Sequence, residues 1–233
     1  MLLSEKRDQL AAAIPPGYPG RLHFLAINLL GAAAIAACLL GLRQPTPWMA
    51  AWVPGFFLFA NLVEWAVHRG PMHRLRPGRI ARSLYERHAR QHHVMFTHES
   101  MQLRRACELK LVLFPWFVFP LLMLATAPLP LALGLLVSLD HALLFLASCV
   151  AYYLLYEWLH TLHHWPQATW IGRRRLVAFL RRHHTRHHDP ALMTRGNFNV
   201  SFPLADLLLG TTLEAEQPAP APEPALSAPA ERP

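Results

Sequence analysis

The sequence predicts an all-α integral membrane protein with about four transmembrane helices. Of its 233 residues, 53% are hydrophobic and 15% are charged, and the mean hydropathy of +0.20 exceeds that of an average soluble domain. The apolar residues are concentrated in runs of about 20, the length that a helix needs to cross a bilayer. The chain is long enough for one sizeable domain.

The first two spans are the clearest. Residues 22–42 carry no formal charge, and residues 48–67 contain one, Glu64. The preceding segment, residues 1–21, has mixed charge and no long apolar run, so we predict an N-terminal cytoplasmic segment rather than a cleavable signal peptide. We therefore expect the first helix to remain in the protein.

The second half of the chain predicts two more spans. The uncharged run at residues 111–139 contains four prolines, which predicts a kinked span at about 109–127 and then a short apolar loop or re-entrant piece. The run at residues 142–160 is the fourth span. Together these spans predict a membrane-embedded domain over residues 22–213, followed by a disordered Pro/Ala-rich tail at 214–233.

Twelve of the 15 histidines lie in four clusters, each at the end of an apolar run or just after one. The clusters are His68 and His73; His88, His92 and His93; His160, His163 and His164; and His183, His184, His187 and His188. Imidazole is the commonest neutral nitrogen ligand for iron, zinc and copper. The basic segments 69–110 and 172–188 both follow even-numbered spans, so the Lys/Arg bias places all four clusters on the cytoplasmic side. We predict a cytoplasmic helical cap that holds a histidine-rich site for two metal ions.

Spacing indicates which histidines share a face. Residues four apart on a helix are neighbours, which pairs His88 with His92, His160 with His164, and His184 with His188. His68 and His73 are five apart, but Gly70-Pro71 lies between them and should end the helix, so that both rings turn inward. The predicted metal ligands are His68, His73, His88, His92, His93, His160, His164, His184, His187 and His188. One ion cannot use ten ligands, whereas two ions can.

Two acidic residues stand close to these clusters. Glu64 lies four residues before His68, and Glu157 lies three before His160, where each can accept the second ring N–H of a ligand histidine. The alternative is that both are interfacial carboxylates paired with nearby arginines. The sequence favours neither.

The remaining histidines have lesser predicted roles. His23 and His141 are isolated near the starts of spans and are predicted to be interfacial. His98 is expected near the site, and whether His98, His163 and His183 are ligands stays open.

Composition and motifs argue against several other classes of protein. The net charge of +8 fits the positive-inside bias and attraction to anionic lipid, and we expect no nucleic-acid partner because the basic residues alternate with histidines. The three cysteines are scattered and imply no disulfide framework. The zinc-protease motif His-Glu-x-x-His, Gly-rich phosphate loops and Gly-x-Ser-x-Gly are absent from the sequence.

The four clusters, in this order and spacing, resemble the histidine boxes of the fatty acid hydroxylase/sterol desaturase superfamily of membrane dimetal oxygenases. The resemblance covers residues 64–211. The matching boxes are Glu64-x3-His68-x4-His73, His88-x3-His92-His93, Glu157-x2-His160-x3-His164 and His184-x2-His187-His188, followed by the signature Gly196-Asn197-Phe198-Asn199 and Asp206-x3-Gly210-Thr211. The second box departs from the pattern of fatty acid 2-hydroxylases, which usually have two residues, not three, between the first histidine and the His-His pair.

This resemblance implies a di-iron enzyme that uses O2 to attack an unactivated C–H bond of a fatty acyl or related lipid. It implies the ten histidines as iron ligands, with zinc as a possible substitute in purified protein, and no catalytic residue beyond them. The segment before the first helix is short for a fused cytochrome b5 domain, so a separate cytochrome b5-like or ferredoxin-type donor is expected. Asn197, Asn199 and Asp206 either shape the rim of the site or form a turn and a helix cap.

Two alternatives remain open at this point. One is a desaturase or hydroxylase of sterols or carotenoids in the same superfamily. The other is a metal-binding membrane scaffold or transporter without catalysis, although a transporter should carry its ligands within the spans, whereas these histidines gather at one face. The Leu/Ala/Arg/Pro-rich composition suggests a bacterial inner membrane.

Overall fold

The computed structural model describes residues 3–213, and within that range it contains helices, turns and loops but no strand. Thr97 and Ser100 form an isolated antiparallel β-bridge in this part of the chain. The predicted disordered tail at residues 214–233 lies outside the described residues. The all-α prediction is confirmed for the part that is described.

Eleven α-helices follow one another along the described chain, several of them short. They are α1 (Leu3–Ala13), α2 (Gly20–Leu40), α3 (Val53–Val67), α4 (Arg79–Tyr85), α5 (His93–Met95), α6 (Leu109–Val112), α7 (Val118–Thr126), α8 (Pro128–Leu136), α9 (Leu139–His164), α10 (Arg175–His187) and α11 (Leu204–Leu208). Two 3-10 helices cover Pro47–Trp52 and Ala106–Glu108, and two π-helical turns cover His68–Met72 and Glu86–His92.

Three helical units are long and apolar enough to cross a membrane. They are Gly20–Leu40, Pro47–Met72 and Leu139–His164, and the pair α7 and α8, bent by 41°, is a fourth if it acts as one broken span. The described residues thus contain three or four candidate membrane spans, which agrees with the predicted number of about four. The outward faces of these units are apolar, as contact with lipid requires.

The third predicted span differs from the structure. The prediction placed it at about 109–127, but α6 ends after a single turn and the apolar helix pair occupies residues 118–136. Pro115 explains the break, because proline has no backbone N–H and disfavours helical geometry at the preceding residue. The short α6 instead packs inside the molecule, where Leu109 and Leu113 join Met95 and Phe96 in an apolar cluster.

Helix α9 is the centre of the membrane-spanning part, with α2, α3 and α8 packed around it. Close approach of α2 depends on Gly31, since a Cβ atom there would lie 2.7 Å from Leu154 Cδ2. At the opposite end from the histidines, Asp140 accepts hydrogen bonds from Arg43 N (2.9 Å) and Gln44 N (2.7 Å). These contacts tie the loop after α2 to the first turn of α9, at the end of the helices that lies away from the histidines.

Candidate metal centre

The structure brings the predicted ligands together as two adjacent groups. The first histidine group consists of His68, His73, His88, His93 and His187, and the second histidine group consists of His92, His164, His184 and His188. Within each group, one ring nitrogen of every member lies within 4.8 Å of those of all the others, and all nine side chains are buried. The tenth predicted ligand, His160, lies beside the second group with its Nε2 atom 3.2 Å from His92 Nε2.

Four members of the first histidine group come from the two π-helical turns. His68 begins one turn and His73 directly follows it, with Nε2 atoms 3.2 Å apart; His88 lies within the other turn and His93 directly follows it, with Nε2 atoms 3.1 Å apart. In a π-helical turn the backbone hydrogen bonds join residues five apart, so these pairs share a face. The expected break is present at Gly70, whose ψ of −107° is not helical. The longer spacing of the second histidine box is therefore absorbed by its π turn.

The second histidine group uses regular helical spacing. His184 and His188 have Nε2 atoms 3.0 Å apart, and the rings of His160 and His164 have centroids 5.1 Å apart. The predicted pair His88 and His92 also lies side by side, with ring centroids 5.1 Å apart, but the two rings belong to different groups.

Main-chain carbonyls orient five of the rings through the Nδ1 atom. A carbonyl oxygen accepts only, so each Nδ1 carries the hydrogen and each Nε2 keeps its lone pair for a metal. The pairs are His92 with Leu111 O (2.9 Å), His164 with Met101 O (2.8 Å), His187 with Gly196 O (3.0 Å), His68 with Phe198 O and His188 with Phe96 O.

Burial keeps these imidazoles neutral. Desolvation, reinforced by neighbouring histidines, lowers the pKa of His73 to about 2, and desolvation also lowers the pKa of His188 to about 3. The pKa values of His88, His93 and His187 are likewise held well below the usual range by burial. Neutral imidazole is the form that binds metals.

The residues present fit metal ions. Nε2 atoms face one another at 2.7 Å between His68 and His88 and at 2.8 Å between His73 and His187. Two nitrogens about 2.1 Å from one ion and at right angles would be about 3.0 Å apart, so this spacing suits a shared cation. His164 Nε2 is buried and has no hydrogen-bond partner among the described residues, as expected for an atom reserved for a metal.

Glu64 and Glu157 are placed differently from both sequence interpretations. Glu64 accepts from Ser201 N (3.0 Å), Val200 N and the Tyr152 hydroxyl, and Glu157 accepts from Phe114 N (3.0 Å) and the Tyr153 hydroxyl (3.0 Å). Within residues 3–213, neither carboxylate bonds to a histidine or pairs with an arginine. For Glu64 the reason is competition, because the Phe198 carbonyl already bonds to His68 Nδ1 and main-chain N–H groups take the carboxylate. Glu157 is taken by Phe114 N and the Tyr153 hydroxyl, and it leaves His160 Nδ1 without a partner among the described residues.

The predicted rim residues form a turn beside the site. Asn197, Asn199 and Asp206 are buried, and Asp206 accepts from Phe198 N (3.0 Å) and Asn199 N (2.7 Å). Asn197 adopts a φ of 55°, a left-handed conformation that asparagine tolerates better than most residues. The interpretation as a turn therefore fits better than that of a rim, and the turn holds the Phe198 carbonyl against His68.

The other histidines lie outside both groups. His163 Nε2 lies 2.8 Å from Val200 O, and His183 Nε2 lies 3.1 Å from Asp206 Oδ2, so both hold the same turn. The side chain of His98 is 40% exposed and lies near Glu99. His23 and His141 bond to Tyr18 and Ser138, respectively, away from the groups.

Sequence reasoning missed Arg181 and Arg7. Arg181 is buried and donates to Leu162 O (2.8 Å), Gly172 O (3.1 Å) and His163 O (3.2 Å), which joins α10 to the end of α9. Its signal was present in the sequence, since it lies three residues before His184 on the face of α10 that carries Val177 and Leu180. Arg7 had no comparable signal, because its partners are backbone carbonyls far along the chain.

An apolar cavity approaches the histidines from the membrane-spanning part. It measures about 220 Å³ and lies between α3, α7 and α9, with Val63, Leu122 and Tyr152 in its wall. A smaller pocket of about 20 Å³ shares Met72, Leu84, Phe114 and Tyr156 with it and is also lined by His88, His92 and His160. The cavity thus adjoins a pocket that is lined by members of both histidine groups.

Comparison with known proteins agrees with this architecture. The family model described as fatty acid hydroxylase matches residues 53–211, more than half of the chain, so the protein belongs to the fatty acid hydroxylase family. A solved structure entitled "Full length scs7p (only hydroxylase domain visible)" has a similar fold, with a TM-score of 0.56 and 17% sequence identity. The similarity covers 83% of this chain and 66% of that chain. Curated proteins provide no significant match.

Proposed function

We propose that this protein is an O2-dependent lipid hydroxylase that acts on a C–H bond of a fatty acyl chain or related lipid. The observation that carries the proposal is the apolar cavity between α3, α7 and α9, which adjoins a pocket lined by members of two buried groups of neutral histidines. Membership of the fatty acid hydroxylase family supports the reaction class.

In this proposal the ten histidines hold two iron ions. The first histidine group binds one ion, and the second histidine group together with His160 binds the other. When bound, the irons supply the chemistry that activates O2. Zinc can take their place in purified protein, because both metals accept imidazole ligands.

The chain's own contribution is to bind and orient the lipid and to exclude water. The acyl chain enters from the bilayer between the spans and lies in the cavity, whose wall is mostly apolar. The reaction balances as R–H, O2, two electrons and two protons giving R–OH and water. The electrons come from a separate cytochrome b5-like or ferredoxin-type donor. We place the histidine-bearing end on the cytoplasmic side, in a bacterial inner membrane.

The test combines metal analysis with lipid analysis. Protein purified in mild detergent and loaded anaerobically with Fe(II) is compared with His160→Ala, His187→Ala and the control His98→Ala, a histidine outside both groups. We expect about two irons per chain in the wild type and the control, and fewer in the other variants. Cells that express active protein should accumulate hydroxylated lipids, identified by mass spectrometry.

The outcomes separate the candidate functions. Full activity in either ligand variant would contradict the ligand assignment. Unsaturated products in place of hydroxylated ones would indicate a desaturase. Bound metal with unchanged lipids across a broad lipid profile would favour a non-catalytic metal-binding protein.

A further inference from the structure

The segment between α10 and the end of the described chain runs along α3 deep into the membrane-spanning part and returns. On its return, Thr211 Oγ1 accepts from Trp65 Nε1 (2.9 Å), near the end of α3. Farther down, Phe202 O accepts from Asn61 Nδ2 (2.8 Å). Deepest, the Phe202 ring lies 6.0 Å from that of Phe57, centroid to centroid.

The depth of this segment follows from helix geometry. Phe57 lies eight residues before Trp65, which is about 12 Å along a helix that rises about 1.5 Å per residue. Phe57 is also ten residues after Pro47, where the helical unit begins with a 3-10 helix, so it lies about 18 Å from that end. The hydrocarbon core of a bilayer is about 30 Å thick, and the Phe202 ring lies beside the middle part of a helical unit long enough to cross it.

Irregular backbone is tolerated at this depth only when its polar groups are satisfied inside the protein. Val200 N and Ser201 N donate to Glu64, and Ala205 N donates to Asn61 Oδ1 (2.8 Å). Glu64 and Asn61 are thus polar residues of a spanning helix that supply partners for this segment. The main-chain groups of this segment therefore meet the condition for irregular backbone within a membrane.

The outer face of α11 is apolar and exposed. Leu207 and Leu208 are 63% and 66% exposed, whereas Ala205 and Asp206 on the inner face are fully buried. We propose that residues 198–211 form a re-entrant loop whose leucine face, Leu204, Leu207 and Leu208, contacts the acyl chains of the bilayer. Helix α11 packs on α3, where Leu62 is also exposed.

The loop connects the bilayer to the histidines. Its carbonyls at Phe198 and Val200 bond to His68 and His163, so the lipid contact of α11 holds the loop in place against the first histidine group. The inference depends on α3 crossing the membrane and not on the reaction proposed above.

The experiment measures where α11 lies relative to the bilayer. A nitroxide label is attached at Leu207→Cys in full-length protein that carries Cys38→Ala, reconstituted in phosphatidylcholine vesicles. Collision with O2, which concentrates in the bilayer, is compared with collision with a water-soluble nickel chelate. Leu29→Cys on α2, 62% exposed, gives the lipid reference, and Thr194→Cys gives the reference for an exposed loop residue.

We expect the O2-to-nickel collision ratio at Leu207 to match that at Leu29 and to exceed that at Thr194 several-fold. A ratio at Leu207 equal to that at Thr194 would overturn the inference. Leu208→Cys should give the same collision ratio as Leu207→Cys. It replaces Leu207→Cys if that variant is poorly expressed or does not take the label.

Discussion

The two histidine groups lie side by side but are held in different ways. In the first group, His68 and His187 bond through Nδ1 to carbonyls, whereas His73 Nδ1 and His93 Nδ1 are buried with no partner among the described residues. In the second group, three of the four members bond through Nδ1 to carbonyls, at Leu111, Met101 and Phe96. Ring orientation is therefore more firmly fixed in the second group.

The two groups also differ in which helices supply them. Helix α3 and its π turn contribute to the first group alone, and α9 contributes to the second alone. The segment around α5 and helix α10 serve both, because His92 and His93, like His187 and His188, are adjacent residues that point into different groups. A substitution in an element that serves both groups should weaken metal binding in both groups. A substitution in a residue that supports one group should weaken metal binding in that group alone.

The largest effect is expected from deleting one residue between ligands. Deleting Thr185 from the regular helix α10 rotates His184 by about 100° relative to His188, and we expect the metal content to fall to background. Deleting the exposed Arg90 from the π turn instead converts the pair His88 and His93 to helical spacing of four. We expect this variant to keep most of its metal.

Metal analysis of the two purified deletion variants, with circular dichroism to verify that both are helical, makes the comparison direct. Equal loss of metal in both would show that the π turn at residues 86–92 is not interchangeable with an α-helical turn, and that the first group needs its particular geometry.

A smaller effect confined to the first group is expected from Glu64→Leu. The substitution leaves Val200 N, Ser201 N and the Tyr152 hydroxyl without their acceptor, at about 1–3 kcal/mol for each buried group left unsatisfied. The re-entrant loop should loosen and release the Phe198 carbonyl from His68. We expect metal affinity in the first group to fall about 10–100-fold, as for other partners behind a ligand.

The measurement is the metal-to-chain ratio after dialysis against a weak chelator, where the wild type should keep about two ions and Glu64→Leu about one. Glu64→Gln, which keeps one carbonyl acceptor, should recover part of the loss. Loss of both ions at the same chelator concentration would contradict separate support of the two groups.

Sequence alone could predict the spans and the residues that gather, but not how they are partitioned. Because the clusters lie at or just after the ends of apolar runs, the sequence predicts that the ten histidines meet at one end of the helices. The assignment of His92 and His93 to different groups depends on a π turn, and no residue pattern in 86–92 predicts that turn. The contacts of the Phe96 and Phe198 carbonyls with histidine rings could not be predicted either. Every residue has a main-chain acceptor, and tertiary packing decides which of them lie next to a ring.

The smallest effect is expected from a substitution of Arg7, which tests whether the second histidine group has a support separate from that of the first. Its buried guanidinium donates to Ser100 O (2.6 Å) and Gln102 O (3.1 Å), in the loop whose carbonyls at Phe96 and Met101 orient rings of the second group. Arg7→Met removes these donors and should lower metal affinity in the second group, with the first unchanged. Because the carbonyls remain in the chain and only their support weakens, we expect a loss at or below the lower end of the 10–100-fold range.

The measurement is again the metal-to-chain ratio after dialysis against a weak chelator. Arg7→Lys keeps a single charged donor group, so its metal content should lie between those of the wild type and Arg7→Met. Arg104→Ala is the matched control, because Arg104 is exposed and pairs with Asp8 at 3.6 Å on the surface. If the variant that combines Arg7→Met with Glu64→Leu keeps as much metal per chain as Glu64→Leu alone, the two groups are supported as one unit. If the combined variant loses a second ion, α1 on one side and the re-entrant loop on the other each support one group.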